Sequence, residues 1–146
     1  MRNDRRGIEG LPLRLMLVAL LISLTLPTML SFMQGTSSSI SEDKAAEIAR
    51  EIVGTLEEMA ASGPGNVRTV KVPSDLPSGI IFRIGGNSTI DRTRLIWSVD
   101  GRENVWYLAG VTVVTENDRT LTVSAGDSLR LECPPGSWGT VKVAMI

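Results

Sequence analysis

The order of apolar and polar residues divides the chain into successive parts. Residues 11–33 are apolar almost throughout, and no charged residue lies between Leu15 and Met33. A helix over this stretch rises about 1.5 Å per residue, so it can cross the roughly 30 Å hydrocarbon core of a bilayer. In residues 41–62 apolar positions recur every three or four residues. This spacing predicts that the long apolar helix continues into an amphipathic helix.

Beyond Gly65 the period of the pattern changes to two, which is typical of β-strands. Turn residues separate the apolar segments at short intervals, and this favours antiparallel hairpins. We predict strands over residues 68–72, 80–84, 95–99, 105–115, 121–125, 128–133 and 141–146. The predicted fold class is therefore α+β, with an antiparallel sheet or sandwich in residues 66–146 as a C-terminal head domain.

Two further details follow from the pattern. A four-residue loop, Asp100–Glu103, would place Trp97 opposite Trp106 in a hairpin. Ser39 and Glu42 fit a capping box at the start of the amphipathic helix. We expect its apolar stripe to pack on the head, with packing between subunits as the alternative; the stripe consists of Ala45, Ile48, Ala49, Ile52, Leu56, Met59 and Ala60.

Two residues predict weak points in the N-terminal helix. Pro27 removes one helical hydrogen bond and clashes with the preceding turn, so we expect a kink there. Gly35 and the Thr-Ser run after it predict a flexible joint over residues 34–40, between the apolar helix and an outer domain. The alternative interpretation is that the membrane helix simply ends near Met33.

Basic residues flank the apolar stretch on its N-terminal side alone, as Arg2, Arg5, Arg6 and Arg14. The positive-inside rule then places the N-terminus in the cytoplasm and the residues after about 35 outside. Three interpretations of this region compete: a secretory signal peptide, an ordinary N-terminal anchor, and a prepilin-type leader. The first is disfavoured because no A-x-A-like cleavage site follows the apolar run.

Residues 5–10 read Arg-Arg-Gly-Ile-Glu-Gly. This run resembles the class III signal peptide of archaeal type IV pilins and archaellins. The resemblance implies that a prepilin peptidase removes residues 1–7 by cutting between Gly7 and Ile8. It also implies that the apolar helix later leaves the membrane and becomes the core of a homopolymeric filament. The leucines expected in that core are Leu11, Leu15, Leu17, Leu20, Leu21, Leu24 and Leu26.

A glutamate, Glu9, would stand at the second position of the mature chain. Many bacterial pilins instead carry a glutamate five residues into the mature chain, where this sequence has Pro12. Two roles for Glu9 remain open. It either neutralises the amino terminus of a neighbouring subunit or is an ordinary solvated charge.

The composition excludes several classes of function. The formal net charge is −1, which gives no electrostatic basis for binding nucleic acid. The chain has no histidine, and its single cysteine, Cys133, cannot form an intramolecular disulfide. Cys133 follows an apolar alternation and is predicted to be a core residue. No catalytic motif or metal-ligand spacing is present, so we expect neither an enzyme nor a cofactor.

Two further features of the sequence concern the surface of the predicted head domain. Asn87 begins the sequence's one N-x-[ST] sequon, in a Gly-rich loop where a glycan could be attached. Trp97, Trp106 and Trp138 are expected to be mainly core residues, and a carbohydrate-binding surface that also includes Tyr107 is the alternative.

Together the features predict the structural subunit of an archaeal type IV pilus-like surface filament that serves adhesion. The precursor would be membrane-inserted with a cytoplasmic N-terminus, and the mature protein would be extracellular. Prepilin peptidase, the pilus assembly machinery and further copies of the chain would be its partners. The alternatives are a single-pass membrane-anchored β-domain binding module, and a minor or accessory pilin.

Overall fold

The computed structural model describes residues 6–146, and the side chains at 6–13, 28 and 32–38 lie outside that description. A long helix, α1, spans Arg6–Ser62. The chain divides into two compact units, Met1–Ser39 and Ile40–Ile146, which are considered separately below. The fold class is α+β, with the sheets confined to the second unit.

The helix continues through the positions predicted to be weak. Pro27 and residues 34–40 are helical, and the flexible joint over residues 34–40 stays a prediction. The alternative, that the membrane helix ends near Met33, also stays a prediction, and no separate helix begins at Ser39 and Glu42, the residues that fit a capping box. Gly35 and the hydroxyl residues each disfavour a helix by no more than about 1 kcal/mol, which the surrounding helix can offset. The kink near Pro27 stays a prediction.

Strands follow the helix in two four-stranded sheets. Sheet A has the order β1-β7-β8-β5, and sheet B has the order β4-β3-β2-β6. A short 3₁₀ helix, Asp91–Thr93, precedes β3. The strands are β1 Val67–Lys71, β2 Ile80–Ile84, β3 Arg94–Val99, β4 Arg102–Tyr107, β5 Thr112–Thr115, β6 Leu121–Val123, β7 Ser128–Glu132 and β8 Thr140–Met145.

The strand predicted over residues 105–115 is wrong, because the chain changes sheets inside it. β4 lies at the edge of sheet B, residues 108–111 connect the two sheets, and β5 joins sheet A. β5 pairs with β8 in parallel, whereas the other strand pairs between Val67 and Met145 are antiparallel. The prediction of an antiparallel β head is therefore confirmed in its coarser form, as two mainly antiparallel sheets with one parallel pair of strands.

The predicted four-residue hairpin loop is also wrong. Val99 pairs with Arg102, so the loop contains two residues, Asp100 and Gly101, with φ angles of 49° and 83°. Positive φ at both positions is what a type I′ turn requires. Trp97 consequently faces Asn104 rather than a tryptophan.

One apolar cluster joins both sheets to the second half of α1. The alternating residues of β2 and β3 are buried on one face of sheet B, as are those of β7 and β8 in sheet A. Each residue of the predicted helix stripe is buried within the second unit: Ala45, Ile48, Ala49, Ile52, Leu56, Met59 and Ala60. This agrees with packing of the amphipathic helix on the head.

Candidate assembly and processing site

The candidate assembly surface is the part of α1 from Arg14 to Ser31, which is long and apolar enough to cross a membrane. Every side chain described in this segment is exposed. Its large apolar side chains range from Ile22, 49% exposed, to Met16, 75% exposed. So much exposed apolar surface is unfavourable in water, and none of the side chains described between Arg14 and Ser31 is buried.

Three hydroxyl side chains of this segment form hydrogen bonds within the helix. The Ser23 hydroxyl donates to the carbonyl oxygen three residues earlier at 2.8 Å, and Thr25 donates to the one four residues earlier at 2.9 Å. Ser31 donates to the carbonyl oxygen of Pro27 at 2.9 Å. Each of these hydroxyls therefore keeps a hydrogen-bond acceptor within its own helix when the segment enters an apolar environment, where an unsatisfied polar group is costly.

The leucines predicted for the filament core surround the helix axis instead of forming one stripe, because successive residues turn by about 100°. The side chains described are exposed, and that of Leu11 lies outside the described part of the chain. Those exposed are Leu15, Leu17, Leu20, Leu21, Leu24 and Leu26. An apolar surface on every side suits lipid or a ring of identical helices better than docking on one face of a sheet.

The predicted processing site lies at the start of α1. Gly7 and Ile8 follow Arg6, the first helical residue, and their side chains lie outside the described part of the chain. Residues 1–5 of the predicted leader are outside it altogether. Cleavage between Gly7 and Ile8 therefore stays a prediction from the sequence.

The predicted glycosylation site, Asn87, is exposed in the loop after β2. The next residue, Ser88, donates its hydroxyl to Asp91 Oδ2 at 2.6 Å and accepts the Asp91 backbone N–H at 3.1 Å. The Ser88 hydrogen bond and, after it, that from Arg94 lower the pKa of the Asp91 carboxyl. The sequon thus lies on a turn that is held by hydrogen bonds while the Asn87 side chain stays accessible.

The aromatic residues do not form one surface. Trp97 is buried, and its ring centroid lies 6.5 Å from that of the half-buried Trp106. Tyr107 and Trp138 are 67% and 75% exposed. A Cβ atom added to Gly63 would lie 3.0 Å from the Trp138 ring, so this indole covers the residue after α1. The expectation of a core position is therefore confirmed for Trp97 and wrong for Trp138. A carbohydrate surface made of all four aromatic residues is also wrong, because Trp97 belongs to the core.

The sequence pattern did not predict the polar contacts that hold the end of α1 to the head. Arg68 of β1 donates to both carboxylate oxygens of Glu58, each at 2.7 Å. The side-chain hydrogen bond from Arg68 and its charge lower the pKa of Glu58. Glu57 accepts the backbone N–H of Ala109 at 3.1 Å. These glutamates read in the sequence as ordinary exposed charges, and no spacing rule links them to residues in the sheets.

A small groove lies beside α1 in the second unit. A groove of about 220 Å³ runs between α1 and the β1–β2 connection, lined by Lys44, Glu47, Ile48, Glu51, Pro73, Asp75 and Leu76. Among the residues that the structure describes, no three His, Cys, Asp or Glu side chains are grouped closely enough to hold a metal ion.

Comparisons with known proteins give no match. No protein-family model, no curated protein sequence and no solved structure is significantly similar to this chain. Its function is therefore inferred from its own residues and their arrangement.

Proposed function

We propose that this chain is the structural subunit of an archaeal type IV pilus-like surface filament, which polymerises through the first half of α1 and serves adhesion. One observation carries the proposal. Among the side chains that the structure describes, none before Ser41 is buried, although the head has its own closed core. The apolar half of the helix is therefore left for another partner, first lipid and then further copies of the chain.

The size of that surface supports polymerisation. Large apolar residues from Leu15 to Leu30 are about half to three-quarters exposed. Moving the exposed part of each side chain out of water is worth about 1 kcal/mol. Shielding the whole segment from water is therefore worth on the order of 10 kcal/mol per subunit. In a bilayer lipid covers the same surface, which explains how a subunit can remain in the membrane before assembly. We propose that prepilin peptidase and the pilus assembly machinery act on it at that stage.

The charges support an orientation. Arg14 and the basic residues before it lie on one flank of the apolar segment, and Glu42 is the first charged residue on the other. The precursor would therefore keep its N-terminus in the cytoplasm and place the head outside. The mature subunit would then be displayed in an extracellular filament.

Intact-mass measurement of sheared surface filaments, together with electron microscopy, tests the proposal. We expect filaments whose subunit begins at Ile8. Gly7→Val should block both cleavage and filaments, because the resemblance assigns Gly7 to the cut. Gly10→Val makes the same change three residues later and should leave cleavage intact. Assembled subunits that still carry residues 1–7, or an absence of filaments from cells that express the processed chain, would overturn the proposal.

The exposed Tyr107 and Trp138 favour a second candidate, a membrane-anchored binding module that stays a monomer. In that case residues 1–7 would remain on the chain, and sheared surface fractions would contain no polymer of it. The intact mass and the microscopy therefore distinguish the two functions in one preparation.

We also propose that Asn87 carries a glycan in the extracellular protein, because its side chain is exposed on a fixed turn outside the sheets. Asn87→Gln should lower the mass of the mature subunit by the mass of one glycan. Asn117→Gln is the matched control, since Asn117 is exposed but does not begin an N-x-[ST] sequon. Equal masses for the Asn87 variant and the wild type, apart from the substitution itself, would refute glycosylation.

A further inference from the structure

Strand β4 forms one edge of sheet B. It pairs with β3 on one side, and no strand that the structure describes pairs with its other side. Val99 and Arg102 close a two-residue hairpin, so every second residue of β4, starting with Arg102, directs its backbone N–H and C=O towards β3. The backbone groups of Glu103, Val105 and Tyr107 therefore point away from the sheet, and their exposed side chains share its solvent face.

The other three edge strands have features that oppose pairing with a further chain. In sheet A, β1 carries two basic residues, Arg68 and Lys71, and β5 lies against the 3₁₀ helix Asp91–Thr93. In sheet B, the opposite edge strand, β6, has only three residues, Leu121–Val123. β4 has six residues, and none of them is proline or lysine. It is therefore the edge most open to another strand.

The two charged residues of β4 both have partners within the chain. Glu103 pairs with Arg83 of β2, and Arg102 lies 3.5 Å from Glu42 of α1. The rest of the strand ends in apolar and aromatic residues, and the Val105 side chain is 43% exposed. The charges at one end of β4 therefore leave its other end unprotected.

We propose that β4 of one subunit pairs in antiparallel fashion with β4 of a second copy in a neighbouring filament, an inference that rests on the proposed function. The pairing is centred on Val105, which lies opposite Val105 of the second copy, while Glu103 lies opposite Tyr107. All three outward residues then form backbone hydrogen bonds. A shift of two residues towards the turn leaves Tyr107 without a strand partner, and a shift of four opposes two Glu103 carboxylates, which is destabilising.

The side chains on the solvent face support a second copy as the occupant. Ile96 of β3 lies beside Val105, so the pairing extends one apolar row across both chains. Arg94 lies beside Tyr107, which in turn lies beside Glu103 of the second copy. Charges of opposite sign therefore flank each tyrosine, and no like charges are placed opposite each other.

The symmetry of this pairing decides where it forms. Two β4 strands joined in this way are related by a two-fold axis, and such a contact closes on itself as a pair. Successive subunits of a helical filament are instead joined by head-to-tail contacts. The β4 pair therefore joins subunits of two filaments. One short strand pair is weak, so single heads stay monomeric at micromolar concentration, whereas many pairs along two filaments act together.

Disulfide cross-linking of sheared filaments, with copper phenanthroline as the oxidant, tests the pairing and its register. Val105→Cys should give disulfide-linked dimers, because the Cα atoms of such a hydrogen-bonded pair are about 5.5 Å apart, within the reach of a disulfide. Glu103→Cys is the matched control on the same strand. Its two copies would be about 14 Å apart along the strand, so we expect at least about tenfold less dimer.

Mixed filaments test the register from the other direction. Filaments of Glu103→Cys mixed with filaments of Tyr107→Cys should cross-link to each other, because these residues are opposed in the proposed pair. Wild-type filaments control for the native thiol, Cys133, which is buried and should give no dimer.

Lateral association provides an independent measurement. Val105→Lys places a charge at the edge of the sheet and should lower the fraction of filaments that sediment as bundles at low speed by more than about fivefold, while the yield of single filaments stays unchanged. Thr122→Lys adds the same charge to β6, at the opposite edge of sheet B, and should leave the bundles intact.

Several results would overturn the pairing. They are equal cross-linking of Glu103→Cys and Val105→Cys, dimers of Val105→Cys within isolated single filaments, and a disulfide to a different protein. Wild-type filaments that do not bundle, or bundles that persist with Val105→Lys, would overturn it as well. Filaments exist in each of these cases, whereas failure of the proposed function would leave no wild-type filaments at all.

Discussion

Ile52 gives the sharpest test of how the second half of α1 stabilises the head. Its side chain is 1% exposed and belongs to the apolar cluster shared by the helix and the sheets. Ile52→Ala removes three carbon atoms, which costs about 2.4 kcal/mol at roughly 0.8 kcal/mol per buried methylene group. The cavity left behind adds to this, so we expect a loss of about 3 kcal/mol in the free energy of unfolding.

The measurement uses a fragment of residues 36–146, which contains the whole second unit and lacks the whole apolar segment. Urea unfolding is followed by tryptophan fluorescence, which reports on the buried Trp97 and on Trp106 next to it, together with the exposed Trp138. With a slope of roughly 1.5 kcal/mol per molar urea, Ile52→Ala should lower the midpoint by about 2 M. Arg50→Ala is the control on the exposed side of the helix and should change stability by no more than about 0.5 kcal/mol.

Equal midpoints for the two variants would refute the packing of the helix into the head. The same fragment tests where the contacts between subunits lie. We expect it to be monomeric at micromolar concentration in light scattering after size-exclusion chromatography, because the exposed leucines before Ser31 have been removed. A fragment that polymerises would show that the head itself makes the main contacts.

Three other results are expected from the 36–146 fragment. The Cys133 thiol should resist alkylation until the fragment unfolds, because burial raises its pKa and excludes the reagent. Since Arg68 lowers the pKa of Glu58, their stabilising effect should be complete above the ordinary glutamate pKa and lost as pH falls through the lowered one; Glu58→Gln should flatten that part of the stability profile. Gly85→Ala should cost about 2–4 kcal/mol in thermal unfolding, because φ is +72° and the new Cβ would lie 2.6 Å from the Thr115 methyl group.

The amphipathic helix was predictable because its sequence pattern and its burial have the same cause. A residue every three or four positions must be apolar if one face of the helix contacts a core, and the residues from Ala45 to Ala60 that fit this spacing are buried. The positions of β2, β3 and β7 followed from alternation for a similar reason. Local patterns report which face of an element is covered.

The errors arose where the answer depends on distant parts of the chain. Residues 108–111 read Leu-Ala-Gly-Val and continue the apolar pattern of β4, and the local sign of the change of sheet is Gly110, whose φ angle is 69°. The parallel pairing of β5 with β8 joins segments far apart in sequence. The hairpin after Val99 was misread for a different reason, because both a two-residue and a four-residue loop fit the run that follows Asp100.

The candidate site was predictable to different extents. The apolar segment was evident from composition, and its exposure in the structure agrees with that analysis. The exposure of Asn87 agrees with the Gly-rich loop in which it lies. The aromatic residues were harder to place, since alternation cannot say whether Tyr107 faces solvent or a second layer. The register of β3 with β4 and the burial of Trp97 had to come from the structure.

The described apolar residues of α1 are exposed in its first half and mostly buried in its second half. We therefore predict that assembly and the stability of the head can be abolished by separate substitutions. In the first half apolar residues such as Leu21 are exposed, whereas in the second half apolar residues such as Ile52 are buried. Leu21→Arg should therefore abolish filaments and leave the unfolding of the head unchanged in the processed chain. Ile52→Ala should weaken the head and leave assembly intact at temperatures below its unfolding. If Ile52→Ala blocked assembly while the head stayed folded, the second half of α1 would have to contact other subunits, and the division of roles proposed here would be wrong.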